Sequence, residues 1–348
     1  MDLADPAIEL PRWFGSPVVN EGLGPATSAL RPAAVVAIGR GPVPAGTPPR
    51  RRKRSRPAAR FLAPALVLYG IVFLVPTIGS LPLSLSGWNG ISRFSFDGLV
   101  NFRSVLDSSA FLSALEHNAI MFIAFLVLVN VVALGTAVLL DKRPTGYTVY
   151  RTLIFLPAVL SLVATGFIWS VMLNPQIGLL NPALQSIGLG FLQRQWLSSP
   201  HLALLSVIVV SWWQWGGVPM VVYGAGLKAI PLELLDAARV DGAAGLRRFR
   251  HIVIPLLRPA VVVNTVLTFV TIFQSFAVVY ILEGIEGAPG GATDVVGTLI
   301  YRTAFGVGAF SPTANLGYAE ANAVGVMVIL AFGLLLLQLY FRRRIVTL

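Results

Sequence analysis

The chain has 348 residues, of which 55% are hydrophobic and 12% charged; soluble domains carry about 25% charged residues, so this composition places it among polytopic membrane proteins. There is no cysteine, which excludes disulfides, thiolate metal sites and cysteine nucleophiles. The formal charge of +11 is local, with seven of the 26 basic residues lying between Arg50 and Arg60, and so reads as a topology signal rather than a nucleic-acid surface.

The first 60 residues hold ten of the 24 prolines and show no steady periodicity. Residues 1–49 read as disordered, and residues 1–59 as a basic cytoplasmic tail ahead of a membrane domain over 60–348. No apolar core of a cleavable signal precedes the basic cluster, so the first apolar run is expected to stay as an anchor. A bilayer core needs roughly 20 apolar residues per helix. Six stretches qualify: Phe61–Leu83, Asn118–Leu140, Thr152–Leu173, Leu202–Leu227, Pro259–Leu282 and Ala321–Phe341. Strand alternation is absent, which argues against a barrel. The fold class is therefore an all-α polytopic membrane protein with six transmembrane helices.

Lys and Arg collect on the cytoplasmic side of a membrane. Here they collect before span one, after span two (Lys142, Arg143, Arg151), after span four (Lys228, Arg239, Arg247, Arg248, Arg250, Arg258) and after span six (Arg342, Arg343, Arg344). The other loops hold only Arg93 and Arg103, then Arg194, then Arg302. Every alternate loop agrees, which puts both ends of the chain in the cytoplasm.

Span four carries Trp212, Trp213, Gln214 and Trp215. Aromatic faces stack on sugar rings and indole N–H groups donate to hydroxyls, but neighbouring tryptophans on a helix point in different directions. Most of them read as packing, with Trp215 the one assigned to a cavity. The loop after span four, residues 228–258, is the least expected feature of so apolar a chain. Pro231 suits a first helical turn; Leu232, Leu235 and Ala238 then recur at helical spacing, and Gly242 is a good stop. A second short helix fits Ala243 to Val253, with Leu246, Phe249 and Val253 on one face and Pro255 limiting it. Composition alone leaves two readings, a pair of helices resting on headgroups or a docking element.

Span five carries Asn264, Thr268, Thr271 and Ser275 at i, i+4, i+7 and i+11, one face of a helix, with Gln274 beside the stripe. Polar groups in hydrocarbon are costly unless satisfied, so this face turns inward. It is either the wall of a solute path or a set of interhelical hydrogen bonds. The glycine-rich loop from Glu283 to Glu320 faces outward, as a contact for a solute-binding protein or as a connector.

Several engines are missing. None of the three lysines, Lys53, Lys142 and Lys228, is followed by Ser or Thr, so there is no phosphate-binding P-loop. His117, His201 and His251 are far apart and show no metal-ligand spacing. An ion-coupled secondary carrier for a small polar solute would keep ionisable residues in mid-span, and a membrane enzyme would cluster His, Asp or Glu at one depth; the six spans show neither.

Within the loop, Asp236-Ala237-Ala238, Asp241-Gly242-Ala243, Ile252 and Pro255 resemble the "EAA" loop of permease subunits of ATP-binding-cassette importers. Asp236 stands where that family usually has Glu, keeping the charge with one methylene less reach. Residues 96–102 (FDGLVNF), 150–157 (YRTLIFLP), 174–181 (NPQIGLLN), Phe273-Gln274-Ser275-Phe276 and Thr303-Ala304-Phe305 resemble segments of the maltose and glycerol-phosphate permease group. The resemblance covers about residues 60–344. It implies a type I importer permease fold in a bacterial cytoplasmic membrane, importing a sugar or oligosaccharide. The implied partners are an ATPase subunit dimer, a second homologous permease and an extracytoplasmic binding protein. ATP and Mg would sit on the ATPase, with no cofactor and no catalytic site on this chain. The loop residues would seat in the ATPase, and span five would line the solute path.

Overall fold

A computed structural model of the chain describes residues 56–342, apart from 244, 310 and 312; the tail expected to be disordered lies outside the described residues. Among those described, the secondary structure is helical, with a single isolated bridge pairing Ser86 and Phe96. Three helices are long and apolar enough to cross a membrane unbroken: α1 (Phe61–Ser84), α3 (Ser109–Asp141) and α14 (Leu316–Phe341). A short α2 (Val100–Leu106) leads into α3.

Two of the remaining expected spans are bent pairs. Helices α4 (Tyr147–Val159) and α5 (Leu162–Met172) meet at 99°, and after a short α6 (Leu180–Ser186), α7 (Pro200–Trp215) and α8 (Gly217–Lys228) meet at 49°. The first bend has a local cause. Leu160 and Ser161 are extended, and the Ser161 hydroxyl accepts from the Ala164 N–H at 3.2 Å, capping a fresh helix. Gln214 on α7 donates to the Leu160 carbonyl at 3.0 Å, which satisfies a backbone group freed by that break. At the second bend, a Cβ on Gly217 would lie 2.6 Å from the Ile154 carbonyl, so only glycine lets α8 press this closely on α4.

The loop over residues 228–258 forms α9 (Leu232–Val240) and α10 (Gly245–Leu256), and α11 (Arg258–Phe273) follows at 65°. Pro231 is the residue before α9 rather than part of its first turn. The expected stop at Pro255 is corrected: α10 runs through it to Leu256. A π turn over Phe249–Val253 lies just ahead of the ring, closed by the Ile254 N–H donating to the Phe249 carbonyl. The same device, a π turn over Gly70–Leu74, precedes Pro76 in α1. Span five is also corrected. Its helix ends at Phe273, Gln274 and Ser275 form a break, and α12 (Phe276–Glu283) completes the apolar run. The glycine-rich loop that follows carries α13 (Val296–Phe305).

The core is organised around α3. Its buried residues Phe111, Ala114, Asn118, Met121, Phe125, Val129, Ala133 and Ala137 follow one helical stripe. That stripe passes through three apolar clusters in turn: with Val296, Leu299 and Ala321; with Val207, Ile272 and Val279; and with Met220, Tyr223, Leu257 and Ala260. By contrast, none of the most apolar stretch of α1 is buried.

Candidate functional site

Two regions hold the residues that the sequence singled out. The first is the α9–α10 loop. Helix α9 ends in a Schellman motif: Gly242 N–H donates to the Arg239 carbonyl at 3.1 Å, and Ala243 N–H to the Ala238 carbonyl at 2.8 Å. This closure needs φ +73° at Gly242, while nothing lies within 4 Å of where its Cβ would be. The glycine is there for its backbone, not for crowding. Val253 belongs to the buried cluster that also holds Tyr223 and Leu257, and Leu235 and Phe249 pack against it, so these three hold the loop to the body; Ala238 is buried at 4% exposure. Ile252 and Pro255 are half-buried, while Asp236, Ala237 and Asp241 face outward. Asp236 accepts from Arg239 at 2.9 Å in an ion pair whose partners stay 65% and 66% exposed. Leu232, Val240 and Leu246 are 71%, 88% and 79% exposed. Leu246 thus leaves the face it was expected to share with Phe249 and Val253. The loop presents one charged pair and three uncovered apolar side chains.

The second region lies between α3, α7, α8 and α11. Two small cavities adjoin there and share Phe125, Trp215 and Thr271 as walls. One, of about 120 Å³, is also lined by Asn264, Thr268 and Pro219; the other, of about 140 Å³, by Ser211, Gln274 and Ser275. Every span-five residue of the stripe, together with Trp215, therefore opens on the same space. Ser275 reaches it from the break rather than from the helix face. Trp212 also lines the first cavity, packing edge-on against Phe125 with ring centroids 6.1 Å apart, while Trp213 lines neither and packs against Trp169 at 5.5 Å.

Polar groups around these cavities are only partly satisfied. Asn264 donates from Nδ2 to the Pro219 carbonyl at 3.3 Å, a bond between α11 and α8, but its Oδ1 has no partner among the described residues. Nor do Ser211 Oγ, Ser275 Oγ and Gln214 Oε1. Buried polar atoms are nearly always paired, so three such atoms on residues lining these cavities, Asn264, Ser211 and Ser275, mark the space as a place for hydroxyl-bearing or aqueous contents. Asn264 thus serves both readings of the stripe, a helix-to-helix bond through its nitrogen and an open acceptor through its oxygen.

Sequence reading missed Phe125, Asn118 and the outer network. Asn118, 1% exposed, donates to the Ile272 carbonyl at 3.0 Å and accepts from the Val296 N–H at 3.0 Å. It ties the carbonyl end of α11 beside the cavities to the first turn of α13. Next to it, Asp294 pairs with Arg302 at 2.6 Å and accepts from the Thr298 hydroxyl at 2.6 Å, while its own carbonyl meets His117 Nδ1 at 2.7 Å. Burial pushes the Asp294 carboxyl up; Thr298 and Arg302 oppose it. His201 and His251 are exposed, and no group of three His, Asp or Glu side chains suited to a metal occurs among the described residues.

The model of the family described as "binding-protein-dependent transport system inner membrane component" matches residues 130–346. The chain belongs to this family. It is similar to the probable ABC transporter permease protein YurN of Bacillus subtilis, at 37% identity over 81% of this chain and 94% of that one. It is similar, too, to the probable starch degradation products transport system permease protein AmyD of Thermoanaerobacterium thermosulfurigenes, at 31% identity over 82% and 93%. A chain in the solved bacterial alginate ABC transporter, in complex with alginate pentasaccharide-bound periplasmic protein, shares the fold. Its TM-score is 0.69 at 22% identity, over 82% of this permease and 94% of that chain. The expected class, an ABC importer permease of type I fold with up to six helical spans, is what these matches and the helical architecture show.

Proposed function

We propose that this permease is one membrane half of a bacterial importer for a sugar or oligosaccharide, with both termini in the cytoplasm. An extracytoplasmic binding protein delivers the solute, a second homologous permease completes the path, and a separate ATPase dimer carrying ATP and Mg drives transport. The observation that carries this reading is the α9–α10 loop. It is closed by its Schellman motif and anchored by Leu235, Phe249 and Val253, yet its charged pair and apolar tips are uncovered. Such a surface is built to dock, and ATPase closure would move it as a rigid body. The names of AmyD and of the alginate transporter support a saccharide. So do the unpartnered hydroxyls and amide oxygens beside Trp215. Cavity size supports a two-chain path: spaces of about 120 and 140 Å³ fall well below the roughly 300–1,000 Å³ of sites that enclose a drug-sized ligand. One chain supplies only part of the wall.

The test is reconstitution in sealed vesicles. The permease alone should accumulate no saccharide, and uptake should need the ATPase and ATP. Uphill uptake by this chain alone, driven by an ion gradient, would replace this reading with that of a secondary carrier.

A further inference from the structure

On the side marked by Lys142, Arg143, Arg151 and Lys228, the cytoplasmic side by the distribution of basic residues, lies a groove that solute import does not use. Its head is a recess of about 160 Å³ between the end of α3, the start of α4 and the last turns of α8. Asp141, Tyr147, Arg151 and Lys228 line it, with Gly224 and Leu140 among the apolar and small residues that complete it. A second hollow of about 390 Å³ shares Tyr147, Arg151 and Val221 with the first and continues along α4 past Phe155, Leu156 and Val159. These last three side chains are exposed.

Arg151 and Lys228 are exposed, and neither has an ion pair among the described residues. They sit on different helices and meet at one recess because Gly217 lets α8 approach α4, while Gly224 leaves its wall open, with nothing within 4 Å of a Cβ built there. Asp141 is the single carboxylate among the lining residues, against two cations, and it is followed by Lys142 and Arg143. A cationic recess on this side, leading into an exposed apolar channel along α4, has the polarity of an acidic phospholipid read from head to tail. Basic recesses between helices on this face of a membrane take acidic headgroups. A zwitterionic lipid would bring an ammonium toward Arg151 and gain less.

We propose that this groove binds an anionic glycerophospholipid of the inner leaflet, its phosphate between Arg151 and Lys228 and one acyl chain along Phe155, Leu156 and Val159.

The test uses the whole transporter, purified with its co-assembled subunits, delipidated and offered phosphatidylglycerol or phosphatidylcholine of matched chains, with bound lipid read by native mass spectrometry. Phosphatidylglycerol should be retained in preference. The double variant Arg151→Gln, Lys228→Gln should weaken its retention by about thirtyfold, as expected for two basic side chains near an acidic headgroup. Val221→Trp, which fills the groove without altering charge, should reduce retention of both lipids and guards against a misfolded double variant. Equal retention of the two lipids by wild type, or phosphatidylglycerol retention that ignores all three substitutions, overturns the proposal. So does displacement of the lipid by inorganic phosphate, or a groove buried under the second permease chain in the assembled transporter.

Discussion

The α9–α10 loop and the cavity beside α11 both use polar residues, under opposite physical conditions. In the loop, Asp236 and Arg239 remain about two-thirds exposed; a pair so hydrated contributes at most about 1 kcal/mol to the fold. The fold does not need it, which leaves it free for the docking role proposed for the loop. In the cavity region Asn118, Asn264 and Gln214 are each 1% exposed, and each stranded polar atom there costs about 1–3 kcal/mol. Those residues are held in place by the fold and in turn hold it. Substitutions in the two regions should therefore separate, with the loop affecting transport alone and the buried amides affecting stability.

The widest separation is expected from Asp236→Lys. Like charges brought together in an interface cost several kcal/mol, so ATP-driven uptake should fall by about a hundredfold, as measured in vesicles with the ATPase present. Unfolding free energy should stay within about 0.5 kcal/mol, as for a surface substitution. Normal uptake by this variant would remove the docking role from the loop. Asn118→Leu should do the reverse. It strands the Val296 N–H, at about 1–3 kcal/mol, and takes one of two donors from the Ile272 carbonyl, which keeps the Ser275 N–H at 3.2 Å; a thermal scan in mild detergent should show the drop. An unchanged scan would mean that this amide is not the tie between α11 and α13.

A smaller effect is expected from Thr271→Ala combined with Gln274→Leu. Losing one or two hydrogen bonds to solute hydroxyls, at about 0.5–1.5 kcal/mol each, should raise the KM for uptake roughly five- to tenfold and leave stability alone. Unaltered kinetics and solute preference would make the stripe a packing feature only. The smallest is Tyr223→Phe, which removes a hydroxyl donating to Asn130 Oδ1 at 2.9 Å. It should cost about 1 kcal/mol of stability and nothing in uptake; a transport defect would extend the path along α8 from Pro219 to Tyr223.

The first span was legible to within a residue, Phe61–Leu83 against Phe61–Ser84, because apolar length alone decides it. The bends were not, because hydropathy has no term for direction. Their causes were nonetheless written locally, in Pro157 followed by the Ser161 cap and in the Gly216-Gly217 pair. Pro255 misled for a related reason: a π turn lies upstream of it, and the one-residue insertion that defines such a turn leaves no compositional trace. Polarity against an apolar background pointed to Asn264, Thr268, Thr271, Ser275 and Trp215 as residues facing one space. Phe125 gave no such signal, since a phenylalanine in an apolar helix looks the same whether it lines a cavity or fills a core.

The uninterrupted passage of α10 through Pro255 has a mechanical consequence. Twelve residues at about 1.5 Å each make an arm of about 18 Å, and the sixteen of α11, beyond the 65° elbow at Leu257, make one of about 24 Å. If the crank stays stiff, a push at Leu246 returns at Phe273 about a third larger and turned toward the membrane interior. The gearing of transport would then be set by where the 65° elbow falls, two residues past Pro255.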